Sequence, residues 1–95
     1  THSDAWYQRG LLYLDFGRLE DAMHDFENAA KHDEHHIDAR LSIATLLHEA
    51  EDRKGAAAAW RRVLDVDPEH RLARRRLEEC RERTSPPKPN PQAEG

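Results

Sequence analysis

The strongest constraint on this 95-residue chain is that it repeats itself every 34 residues. A shift of 34 brings Ala5 onto Ala39 and then Ala73, Leu12 onto Leu46, Ala22 onto Ala56, Phe26 onto Trp60 and Asp33 onto Asp67. Gly10 falls on Ala44, Tyr13 on Leu47 and Ala29 on Val63, so residue size is kept wherever the chain would touch itself. A period of this length describes one supersecondary unit stacked on its neighbours, each too small to bury its apolar face alone.

Within one period the apolar residues recur every three or four positions, as Trp6, Gly10 and Tyr13 do, and again Ala22, Phe26 and Ala29. That spacing places each set on one face of an α-helix. The reading is five helices: Asp4–Asp15, Leu19–Lys31, Ile37–Ala50, Lys54–Val66 and Glu69–Arg83. Gly17 ends the first because a residue without Cβ enters the left-handed turn at no steric cost. Asp52 is placed to cap the fourth, and Pro68 stops its continuation. The fifth begins a third period, with Ala73 and Leu77 on its apolar side, but no partner helix follows. Its role is that of a capping helix.

Trp6, Gly10, Tyr13, Gly17, Ala22, Phe26 and Ala29, in this order, resemble the signature of the tetratricopeptide repeat family. Ala44, Leu47, Ala56, Trp60 and Pro68 continue the resemblance in the second repeat. It implies an all-α fold, an α-α superhelix or solenoid of two hairpins (residues 3–36 and 37–70) plus a C-terminal capping helix (69–83), together a domain over residues 1–83. The departures are Arg9 at a usually apolar position, Arg40 in place of the aromatic, Glu34 in place of a junction proline, and Glu51 in place of the turn glycine. Glu51 predicts a soft or differently built turn, since a non-glycine residue in the left-handed region loses roughly 1 kcal/mol. Glu34 predicts a looser junction between the two repeats.

The formal charge of −4 conceals an asymmetry. Residues 1–52 carry twelve Asp/Glu against four Lys/Arg, net −8, whereas residues 53–95 carry eleven Lys/Arg against seven Asp/Glu, net +4. The basic run of Arg71, Arg74, Arg75, Arg76, Arg81 and Arg83 is interleaved with Glu69, Glu78, Glu79 and Glu82. Such mixing supplies helical ion pairs and argues against a phosphate-binding surface, hence against nucleic acid. No run approaches the roughly 18 apolar residues of a membrane span. One cysteine, Cys80, leaves no internal disulfide, which favours a cytoplasmic location without excluding the periplasm. An arginine- and alanine-rich composition suggests a bacterial source. Residues 84–95, with four of the five prolines, read as a proline-rich disordered tail.

Chemistry finds little purchase. His32, Asp33, Glu34, His35 and His36 gather metal-binding side chains, but neighbours on one turn point in different directions, so the expectation is a polar turn and no metal site. Cys80 aligns with Leu12 and Leu46 on the inward side of the first helix of each period, and reads as a small buried apolar residue. With no phosphate-binding glycine loop and no serine-centred nucleophile motif, the expectation is a non-enzyme without cofactor.

In the family, the first helix of each pair lines a concave groove that receives a peptide or helix of a partner protein. The resemblance therefore implies a partner-binding surface of Tyr7, Gln8, Leu11 and Asp15, then Asp38, Leu41, Ser42, Thr45, His48 and Glu49, then Arg75 and Arg76. Family members that clamp a chaperone's C-terminal carboxylate need Lys and Asn where Tyr7 and Leu11 stand, and a second Asn where Ser42 stands; only Arg76 fits that clamp. The leading expectation is a scaffold or adaptor for another protein, the alternative is a weakly self-associating repeat module, and a distant third is a nucleic-acid-binding accessory.

Overall fold

The computed structural model of the protein describes residues 2–84, with side chains to residue 81. Five α-helices follow one another: α1 (His2–Asp15), α2 (Leu19–His32), α3 (Ile37–Glu49), α4 (Arg53–Val66) and α5 (Arg71–Thr84). All secondary structure among the described residues is helical, and each helix packs on the next, so the chain is an all-α stack of two hairpins followed by α5. No helix among them is long and apolar enough to cross a membrane. The proline-rich stretch lies outside the described residues.

Within the first hairpin the helices come as close as their residues allow. Gly10 is buried on α1, and a Cβ placed on it would lie 2.6 Å from Cε1 of Phe26, whose ring is fully buried on α2. The second hairpin repeats the contact with a different pair, Ala44 on α3 and Trp60 on α4, both in one buried cluster with Ala56, Ala59, Val63, Ala73 and Cys80. Trp60 brings a cost that Phe26 does not, because its buried Nε1 has no hydrogen-bond partner.

Arg9 and Asp25 make the first hairpin polar where the second is apolar. Arg9 donates from Nε and Nη2 to the two carboxylate oxygens of Asp25 at 2.7 and 2.8 Å, while Asp25 itself is only 1% exposed. The guanidinium also lies over Trp6 and Tyr13, 5.0 and 5.6 Å from their ring centres. The hydrogen bond to Asp25 raises the Arg9 pKa above its ordinary value. One period on, the same two positions hold Ile43 and Ala59. The charged residue that departs from the family pattern is thus matched by a departure opposite it.

The hairpin turns are copies of one another. Arg18 donates to Tyr13 O at 2.8 Å and Gly17 to Leu14 O at 3.0 Å; 34 residues later Asp52 donates to Leu47 O at 3.0 Å and Glu51 to His48 O at 3.1 Å. The first of each pair is the six-residue closure of a helix ending in a left-handed residue. Gly17 has φ +75° and Glu51 has φ +61°. Of the two outcomes expected there, a soft turn or a different build, the turn at Glu51 is not built differently; it keeps the glycine geometry and carries the strain.

The inter-repeat turns also share a device, one that the sequence reading did not contain. His36 precedes α3 and His70 precedes α5, 34 residues apart, and each accepts at Nδ1 from the N–H three residues on, Ala39 or Ala73, at 3.1 Å. With Nδ1 as acceptor, His36 donates from Nε2 to Asp4 Oδ1 at 3.0 Å. Asp33 and Asp67 close the same turns by accepting from the N–H groups of His35 and Glu69. This capping starts α5 at Arg71, two residues later than the periodicity placed it. At the first junction, where Glu34 stands for proline, Arg40 Nε donates to the Glu34 carbonyl at 2.7 Å. Asp52 caps α4 by accepting from Gly55 N–H at 3.0 Å, as its sequence position indicated.

Five substitutions test this account by urea unfolding. Gly10→Ala should cost about 1 to 3 kcal/mol, because the buried Phe26 ring has no room to withdraw. Glu51→Gly should gain up to about 1 kcal/mol by relieving left-handed strain, while Gly17→Ala, with nothing near its missing Cβ, should lose about as much. His70→Ala should cost about 1 kcal/mol, and His70→Asn, which restores a capping oxygen, should recover most of it.

Candidate functional site

The twelve residues assigned to a partner surface all lie on α1, α3 and α5, the first helix of each unit. Gln8, Asp15, Asp38, Thr45, Glu49 and Arg75 are exposed, and Tyr7, Leu11, Leu41, Ser42, His48 and Arg76 are half-buried. The half-buried ones divide their attention between solvent and the fold. Tyr7 packs between Phe26 and His36, with ring centres 5.7 and 5.0 Å away. Leu41 leans on the core cluster of the second hairpin, and Ser42 donates to the Asp38 carbonyl one turn back at 2.9 Å.

Residues of neighbouring first helices approach one another at two places. The Tyr7 and His36 rings meet at the start of α3, and His36 is tied to Asp4 on α1. Further along, His48 on α3 shares a small pocket of about 20 Å³ with Glu79 and Cys80 on α5, together with Glu51, Arg53 and Ala56. Glu79 organises this end. Arg76 donates to it at 3.0 Å, and Arg75 approaches its other oxygen at 3.7 Å. The Arg76 hydrogen bond holds the Glu79 carboxyl below the ordinary carboxylate value, with Arg75 and His48 adding in the same direction. Arg75 and Arg76 are therefore presented as partly neutralised donors, not as bare cations. Glu79 was legible as one of the acids interleaved with the basic run; its position i+3 and i+4 from the two arginines is the signal.

A larger concavity than this small pocket is lined by other residues. A cleft of about 630 Å³ lies over α3 between α2 and α4, with His24, Lys31, Arg40 and Arg62 around it and Ile43 and Leu47 at its base. None of the twelve assigned residues lines it. It opens because Gly55, Ala58 and Ala59 offer nothing large on the facing side of α4. The run Gly55–Ala59 was the available sign of it.

The histidine-rich turn is spoken for by its backbone. His32 Nδ1 lies 2.9 Å from the Asn28 carbonyl, His36 caps α3, and His35 is exposed. Among the described residues, no three His, Cys, Asp or Glu side chains are placed to share a metal ion. Cys80 is 3% exposed within the core cluster, as its register required. Leu12, at the same register two periods earlier, is 57% exposed, which corrects the inward assignment. No helix among the described residues covers that face of α1, whereas Cys80 lies in the core cluster with residues of α4.

Comparison with known families agrees with the geometry. The model of the tetratricopeptide repeat family matches residues 3–36, which run from the buried Ser3 through α1 and α2 to the histidine cap of α3. The repeated hairpin turns and the small-against-aromatic contacts extend the same plan to α3 and α4. Residues 3–36 are thus similar to a tetratricopeptide repeat, and they lie in a stack whose described residues form helical hairpins throughout.

Proposed function

We propose that this protein is a binding scaffold that receives an extended or helical segment of another protein on the first-helix surface of α1, α3 and α5, with α5 closing the stack. Tetratricopeptide repeats as a family mediate protein–protein interaction, and the match at residues 3–36 supports that coarse reading. The observation that carries the finer one is the alignment of solvent-facing polar groups with half-buried apolar ones along two helices, Gln8 beside Leu11 and Thr45 beside Leu41, continued on α5 by the cations Arg75 and Arg76. Recognition surfaces combine just these, apolar area for affinity and fixed polar groups for register.

The surface also has a graded charge. Asp15, Asp38 and Glu49 lie towards its first two helices, and the arginines of α5 towards its end, where Glu79 holds them in place. A segment with basic residues at one end and an acidic residue or carboxylate at the other would satisfy both. No catalytic role is assigned to any of these groups.

Affinity capture from the native host with the intact chain, followed by titration of the captured partner, tests the surface. Gln8→Arg and Thr45→Arg, both at exposed positions, should leave helicity unchanged and weaken binding by about tenfold or more, the cost of disturbing an interface centre. Lys31→Glu and Arg62→Glu at the opposite cleft should leave binding within about twofold. Loss of binding in the second pair alone would move the partner to the cleft between α2 and α4.

A further inference from the structure

Residues 1–52 carry twelve acids and only four Lys/Arg. Two of the four are engaged within the fold: Arg9 pairs with Asp25 and Arg18 with Asp21, and both guanidinium groups lie over the Tyr13 ring. The other two, Lys31 and Arg40, line one cleft, that of about 630 Å³ over α3, and α4 adds Arg62 to it. Among the described residues none of these three cations forms a salt bridge. Two acids, Glu27 and Glu34, share the lining, so the cleft is net positive where the chain as a whole is −4. The cations gather towards one end. Lys31 in the last turn of α2 and Arg40 in the first turn of α3 flank the junction between the repeats, and Arg40 is held there by donating from Nε to the Glu34 carbonyl at 2.7 Å. Leu47 and Gly55 stand at the other ends of α3 and α4, towards the hairpin turn, with Ile43 between the two ends.

We infer that this cleft is a second binding site, independent of the first-helix surface, and that it takes a short acidic segment of another protein in which carboxylates stand next to a branched apolar side chain. Its volume lies within the roughly 300 to 1,000 Å³ of ligand pockets. At the junction end the carboxylates accept charge-assisted hydrogen bonds from Lys31, Arg40 and Arg62, one donor from each of three helices. The apolar side chain rests on the half-buried Ile43 and Leu47, with room left by Gly55 and Ala58. Charge complementarity selects the occupant: a basic segment meets like charge at the junction end, and an uncharged one leaves three cations without a partner. The wall of α2 separates a peptide from a free aliphatic carboxylate. His24 and Asn28, with Nδ1 and Nδ2 3.3 Å apart, offer polar groups to a peptide backbone that an aliphatic chain has nothing to match.

Subtractive selection from a random peptide library displayed on phage tests the site. Peptides captured by the intact chain but not by Ala58→Trp, a substitution at an exposed position that fills the cleft without altering its charge, are the cleft ligands. They should share two or more acids beside a Leu, Ile, Val or Met. A fluorescent copy of one should bind the intact chain saturably and lose about tenfold or more in affinity when Lys31→Gln and Arg62→Gln are combined. Lys54→Gln with Arg61→Gln, two other exposed cations of α4, should leave its affinity within about twofold. All these variants alter exposed side chains and should keep the circular dichroism spectrum. Three results would overturn the inference: no peptide that survives the subtraction, survivors without acids, or an affinity that the first charge pair changes no more than the second, which would make the attraction a property of the basic half of the chain and not of the cleft.

Discussion

Everything in this stack follows from how closely two helices can approach when one presents glycine or alanine to an aromatic ring on the other. With Gly10 against Phe26, the backbone of α1 rests on the ring itself, and the angle of the first hairpin is set by that contact. Ala44 against Trp60 does the same for the second hairpin with one more carbon on one side and a larger ring on the other. Burial of a ring this size is worth a few kcal/mol, a large share of what a small domain can spare. The remaining apolar positions are mostly alanine, which can fill space only because the aromatic contact has already drawn the helices together.

Once the hairpin geometry is set, polarity at a given position becomes negotiable. Arg9 and Asp25 replace the apolar pair of Ile43 and Ala59 without changing the hairpin, because the fork of two hydrogen bonds satisfies a carboxylate that has almost no access to water. Such a pair contributes specificity more readily than net stability, since desolvation offsets its attraction. It fixes the register of α1 on α2, where a slip would strand Asp25 in apolar surroundings. In the second hairpin the same two positions are the apolar Ile43 and Ala59, and the rings of His48 and Trp60 meet across the pair, 6.4 Å between centres.

Much of this was legible in the sequence, and the exceptions have a common cause. The period, the helices to within two residues at each end, the Asp52 cap and the burial of Cys80 follow from spacing and from the chemistry of single residues. Leu12 was assigned inward because the period gives it the register of Leu46 and Cys80, but no helix among the described residues covers that side of α1. The partner of Arg9 lay 16 residues away on another helix, so neither residue alone announced the pair. The histidine caps were hidden because imidazole is an uncommon capping group, although the 34-residue interval between His36 and His70 was there to be read. The cleft over α3 was missed for a different reason: it is made by what Gly55, Ala58 and Ala59 lack.

Cys80 carries a consequence for how the molecule breathes. It is the sole thiol in the sequence, and it sits behind α5, against α4, at 3% exposure. A thiol reagent in solvent reaches the sulfur only after α5 has lifted from the stack. Under conditions where reclosing is faster than the chemistry, the rate of labelling is the intrinsic rate scaled by the fraction of time that α5 spends undocked. The protein thus contains its own clock for the fraying of its last helix, one that can be read separately from global unfolding and without altering a residue.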